Sequence, residues 1–147
     1  MKKAVKSTAA FAISTLLSVS HGWAACSLSD MTNKTWMVTA TEITQGVLFF
    51  CKFSVNGSGT IASLANGCSD YYPGQKNFNT PSKYNVKSGT VKLINSNDCM
   101  FDVNVAFGSG SPSAVSRVVL DYGKNIATGN FVVSWGGGGS WNLVRTK

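Results

Sequence analysis

The chain has 147 residues, with 13 Lys and Arg against 6 Asp and Glu, four Cys and a single His. That length suits one domain with its own core. The basic residues are scattered singly from Lys34 to Lys147, not clustered along one face as a nucleic-acid partner would require.

The first 24 residues read as a bacterial secretory signal. A basic start with Lys2, Lys3 and Lys6 leads into the uncharged stretch STAAFAISTLLSVS and then HGWAAC, the order of an export signal. The apolar run is shorter than the ~20 residues needed to span a bilayer. Cleavage after Ala24 sets Gly22 and Ala24 at the small-residue positions. Periplasmic or secreted localisation is therefore expected, with a single all-β domain over residues 25–147. Lipid attachment at Cys26 is disfavoured, because Trp23 stands where an aliphatic residue is usual and a lipidated Cys26 leaves an odd thiol. After cleavage 10 Lys and Arg face the 6 acids, a net charge of +4, and His21 is gone. A chain without histidine has no Ser-His-Asp or Cys-His device and no His-bearing zinc site.

A short helix is expected around residues 28–33, with Ser27 or Ser29 as its cap. TWMVTATEI (35–43) then alternates as a strand. The next strand carries CKFSVN at 51–56, which returns as CMFDVN at 99–104. In a strand, successive side chains point to opposite faces. Val47, Phe49, Cys51, Phe53 and Val55 thus share one face, as do Cys99, Phe101, Val103, Val105 and Phe107. The repeat is two half-buried strands, not a motif or a duplicated domain. Further strands are expected at 59–65, 88–94, 114–122, 126–135 and 140–145. The separators TQG, NGSG, NSND, GSGSPS, GKN and GGGG are turn chemistry.

Eight strands joined mostly by hairpins predict an antiparallel up-and-down barrel, which leaves no exposed sheet edge. A two-sheet sandwich is the alternative. Trp36, Val38, Phe49, Phe53, Val91, Leu93, Phe101, Val103, Phe107, Phe131, Val133 and Trp141 would point inward, and so many large rings predict a filled interior. An outer-membrane barrel is disfavoured by Lys52, Lys92 and Asp102 on the outer face.

Four cysteines in an exported chain imply two disulfides. The meander sets Cys51 and Cys68 near one end and Cys26 and Cys99 near the other, predicting the pairs Cys51–Cys68 and Cys26–Cys99. On the loop-entropy model they contribute roughly 3 and 4 kcal/mol. No Cys-x-x-Cys spacing supports a metal or redox site, and no cofactor is expected.

With Trp36 in NKTW at the start of the first strand and Arg145 in SWNLVR at the end of the last, the chain resembles the calycins, the group of lipocalins and avidin-like barrels. Those families carry Gly-x-Trp there, with the Trp covered by a basic residue; position 34 here is Lys. The resemblance implies a closed antiparallel barrel, a Trp36–Arg145 contact closing it, and a binding role.

The segment 66–84, NGCSDYYPGQKNFNTPSKY, is far longer than a hairpin loop, and such loops are commonly functional. Tyr71, Tyr72, Gln75, Lys76, Asn77 and Phe78 are its candidate contact residues, for aromatics beside amides suit protein or sugar contact. The run SWGGGGSW (134–141) lacks a phosphate-loop ending and reads as a turn. No facing pair of carboxylates stands out among Asp30, Glu42, Asp70, Asp98, Asp102 and Asp121, so no enzyme is expected. The functional expectation is a non-catalytic binding protein for a protein partner, in the manner of an inhibitor, or for a small ligand. A carrier of an apolar molecule and an appendage subunit are the alternatives.

Overall fold

The computed structural model describes residues 25–72, 81–108, 113–134 and 136–147. Its strands are β1 (Lys34–Glu42), β2 (Leu48–Val55), β3 (Thr60–Ile61), β4 (Leu64–Tyr71), β5 (Ser82–Asn95), β6 (Met100–Phe107), β7 (Ser113–Leu120), β8 (Ile126–Val133) and β9 (Gly138–Arg145). β1 pairs with β2 on one side and with β9 on the other, so the sheet closes on itself. β3 and β4 share one place between β2 and β5. The result is an antiparallel eight-stranded barrel, not a sandwich.

Alternation puts the expected side chains inside. Phe53 and Val55 on β2, and Phe101, Val103, Val105 and Phe107 on β6, are buried, while Lys52, Ser54 and Asn104 face water. The turns use side-chain carbonyls and carboxylates to satisfy backbone donors. Asn56 Oδ1 accepts from the Ser58 and Thr60 N–H groups at 3.1 and 2.9 Å. Asp121 Oδ1 accepts from Asn125 and Ile126 at 2.8 and 2.7 Å. Such turns fix the register of the hairpins they close.

We call the end at which β1 finishes the upper end. The lower end is sealed. A single 3₁₀ turn, Leu28–Asp30, crosses it, with Met31 and Thr32 buried beneath. The Ser27 N–H donates to Asp30 Oδ2 at 2.8 Å, and Lys124 Nζ reaches the same oxygen at 2.9 Å. Cys26 is bonded to Cys99, and its N–H donates to the Ser96 carbonyl at 2.8 Å. The N-terminal segment is thus stapled across the base by the predicted disulfide.

The third strand departs from expectation. It does not stop at 65 but continues through Tyr71, and β5 begins at Ser82, not 88. Asn66-Gly67 looks like a turn but forms a bulge between Leu64 and Cys68. Asn66 takes a left-handed φ of 53°, and its N–H is held by Asn85 Oδ1 at 2.9 Å. This lets the ladder resume, as bulges do. The long connection shrinks to residues 72–81, of which 73–80 lie outside the described residues. Cys68 stands on β4 directly opposite Cys51 on β2, to which it is bonded.

The Cys26–Cys99 bond closes 73 residues of chain. Replacing both cysteines with Ser should lower unfolding stability by about 4 kcal/mol. Urea denaturation of the double variant against the parent measures it.

Candidate functional site at the upper end

The upper end is built differently from the base. Inward positions there come from every strand but β3: Ala40 and Glu42 on β1, Phe49 and Cys51 on β2, Asp70 on β4, Tyr84 on β5, Phe107 on β6, Ala114 on β7, Val133 on β8 and Trp141 on β9. Val38, Ala40, Phe49, Cys51, Phe107, Ala114, Phe131, Val133 and Trp141 line an apolar cavity of about 20 Å³. That is room for about one water molecule, so the interior is largely filled by its own side chains. Phe131 and Trp141 meet with ring centroids 5.5 Å apart.

Two buried carboxylates stand at this mouth, and they are treated in opposite ways. Glu42 takes the Thr44 N–H on Oε1 at 2.9 Å and the Gln45 N–H on Oε2 at 2.6 Å. Burial disfavours its charge, but these backbone donors outweigh burial and hold the carboxyl below its ordinary pKa. A Cβ at Gly137 would lie 2.7 Å from Glu42 Oε1, and one at Gly139 would lie 1.8 Å from the Thr41 carbonyl oxygen. Close approach explains the glycine run at these two positions, and the run is indeed a hairpin turn between β8 and β9. Trp135 lies outside the described residues.

Asp70 is supported less fully. It is only 7 % exposed, and its Oδ1 has no hydrogen-bond partner. Burial pushes its pKa up, and the Ser82 and Tyr72 hydroxyls only partly oppose this. Its cross-strand partners are Phe49 on β2 and Ser82 on β5. Two residues beyond Ser82, Tyr84 packs its ring 5.6 Å from that of Phe107. Its hydroxyl is also buried without a partner; burial, and then the charge of Asp70, push its pKa up. Trp141, 4 % exposed, has an unpartnered Nε1. These are the unsatisfied buried side-chain atoms among the described residues, and all three lie at the upper end.

The expected contact residues are divided by the structure. Tyr71 ends β4 on the outer wall, meeting Phe50 edge-on at 5.5 Å. Tyr72 is exposed at the mouth, and burial and the charge of Asp70 raise its pKa. Gln75, Lys76, Asn77 and Phe78 lie outside the described residues. At the other end, Trp36 and Arg145 are direct partners across β1 and β9. Trp36 is fully buried, and its Nε1 donates to the Met31 carbonyl at 3.0 Å; Arg145 is exposed. Asp70 and Tyr84 were missed as a site. Alternation through Cys68 was the available signal, since Asp70 shares its face once the strand is extended.

No protein-family model matches the chain, and no curated protein is similar to it. Solved structures of the same shape exist. The redesigned β-barrel mFAP1, bound to DFHBI, matches with a TM-score of 0.52 at 19 % identity, over 80 % of this chain and 97 % of that one. The redesigned barrel mFAP0, also bound to DFHBI, matches with a TM-score of 0.50 at 21 % identity, over 79 % and 99 %. The likeness is one of fold.

Asp70 and Glu42 should respond oppositely to pH. The folded pKa of Asp70 is raised, so its charge costs stability above that value, and the cost fades as pH falls towards the ordinary carboxylate range. Asp70→Asn should raise the melting temperature at pH 7 and lose that advantage below about pH 4. The folded pKa of Glu42 is lowered, so its contribution is present above the ordinary range and lost as pH falls through the folded value. Glu42→Gln should destabilise at pH 7 and matter less in acid. Thermal melts between pH 3 and pH 8 check both signs.

Proposed function

We propose that this chain is a non-catalytic binding protein that takes a small, largely apolar molecule at the upper mouth of the barrel. One observation carries the reading. Asp70 Oδ1, Tyr84 OH and Trp141 Nε1 are buried without partners at the upper end, whereas buried polar groups in folded proteins are nearly always satisfied. Trp141 lines the apolar cavity, and Asp70 and Tyr84 adjoin Phe49 and Phe107, which line it too. A few convergent polar groups in an apolar recess are the usual make-up of a small-molecule site. The cavity is small, so a ligand would rest mainly on the aromatic side chains around it, Phe49, Phe107 and Trp141. Two neighbours of the same fold hold DFHBI, which accords with this use of such a barrel.

The finer readings fit this one. Calycin membership is supported by the Trp36–Arg145 pairing of first and last strands and by a base closed with the N-terminal segment. Export, with cleavage near Ala24, is supported by the leader-like residues and by two disulfides, bonds that persist in oxidising compartments. Residues 25–147 carry no histidine, in keeping with binding over catalysis.

Saturable binding of the neutral probe 2-naphthol, followed at the Trp141 indole N–H resonance, is expected. Ala114→Leu, which fills the cavity at a cost of ~1–3 kcal/mol, should abolish it. Equal binding by a folded Ala114→Leu variant sinks the reading.

A second reading, contact with a protein partner, is favoured by the outer wall beside the mouth. Leu48, Phe50 and Tyr72 are exposed there, with Tyr71 against Phe50. Replacing Phe50, Tyr71 and Tyr72 with Ala should leave the far-ultraviolet circular dichroism intact and remove any partner recovered from periplasmic extract. A partner that is still retained rejects this wall as the contact.

A further inference from the structure

The charge balance at the mouth narrows the class of ligand. The protein is basic as a whole, yet the mouth holds two buried carboxylates, Glu42 and Asp70. Glu42 is fully engaged by its turn. Asp70 is not, and among the described residues no lysine or arginine pairs with it: the ion pairs are Arg117–Asp102 at 2.9 Å on the outer wall and Lys124–Asp30 at 2.9 Å at the base. A buried carboxylate without a cation is costly, and the cost is relieved when a cation is supplied.

Apart from the Ser82 and Tyr72 hydroxyls on its carboxylate, the surroundings of Asp70 are aromatic. Phe49 faces it across β2, Tyr72 lies two residues on, and Tyr84 on β5 stacks against Phe107. Phe49 and Phe107 also line the cavity, and Trp141 on the far side offers a free indole N–H. Ring faces attract ammonium groups, above all where water is excluded. A neutral apolar ligand would use the cavity but leave Asp70 Oδ1 unsatisfied. An anion would be repelled by both carboxylates. A metal ion is not served, for no group of three or more potential metal-ligating side chains exists among the described residues.

We propose that the mouth binds a protonated organic amine with an apolar or aromatic body, its ammonium donating to Asp70 Oδ1 and its apolar end resting on the aromatic side chains Phe49 and Phe107 at the edge of the cavity. Tyr84 OH would take or give a further hydrogen bond to the polar end. Asp70 is the residue that sets specificity, and the aromatic edge of the cavity sets only the size and shape of the apolar end. This proposal rests on the upper mouth being a small-molecule site.

The test compares three probes with the same body: phenethylamine, 2-phenylethanol and N-acetylphenethylamine. Affinities come from isothermal titration of the oxidised protein, with the Trp141 indole resonance reporting where each probe sits. Phenethylamine should bind at least tenfold more tightly than either neutral probe. Asp70→Asn should erase that preference while leaving 2-phenylethanol binding within about twofold, and Tyr84→Phe should keep the preference. The preference in the unmodified protein decides the matter even should Asp70→Asn fold poorly. Equal binding of the amine and the alcohol, or a preference that survives in Asp70→Asn, overturns the amine assignment and leaves the mouth as a neutral site. Failure of all three probes and of 2-naphthol overturns both readings together.

Discussion

Every inward side chain of this protein takes its place because β1 is hydrogen-bonded on both sides, to β2 and to β9. Closure removes the free edge that an open sheet would present. It also makes the period-two alternation absolute, since a slip of one residue in any strand would turn a whole apolar row to water. Trp36, Phe53, Phe101, Leu120 and Leu143 are nearly or fully buried for this reason. They fill the lower half from different strands, and no single hairpin could cover them. The core is therefore a property of the ring, and stability and enclosure come from the same pairing.

Closure treats the two ends unequally. At the base the chain has spare material, the segment before β1, and spends it as a lid held by a disulfide and by the Asp30 contacts with Ser27 and Lys124. At the upper end no described segment crosses the opening. Large side chains give way there to Ala40, Ala114 and the glycines of the β8–β9 turn. The cavity arises where small residues from three strands face Phe49, Phe107 and Trp141. Among the described residues, then, only the floor is sealed.

Much of this was legible in the chain itself. The odd residues of 47–55 and 99–107 announce their buried face. The disulfides followed from the meander, because up-and-down order alone decides which cysteines share an end. The third strand was misjudged through one dipeptide. Asn66-Gly67 has the composition of a hairpin turn, and only the side chain of Asn85, nineteen residues away, makes it a bulge instead. Local turn chemistry cannot reveal a partner supplied by the next strand. Taken as a turn, the dipeptide places Cys68 and Asp70 in a loop, not on the wall. The mouth was hidden for the same reason. Phe49, Phe107 and Trp141 were each expected to face inward, but the positions they share with Asp70 and Tyr84 depend on a ladder extended by six residues.

The carboxylates of the molecule show why Asp70 stands apart. Asp121 is sunk into a turn that offers it three backbone N–H groups, Glu42 into a turn that offers two, and Asp30 has both a backbone donor and Lys124. In each case a backbone donor within a few residues engages the carboxylate, joined at Asp30 by the distant Lys124, and the cost of desolvation is outweighed, leaving the pKa depressed. Asp70 is buried by strand register instead of by a turn. The two ladders that flank it leave its Oδ1 facing aromatic rings with nothing to accept from. A fold that satisfies acids so readily elsewhere, yet leaves one oxygen of Asp70 without a donor at the upper end, has given up stability at that place. Local concessions of this kind are expected at sites of function, in keeping with the proposed amine site.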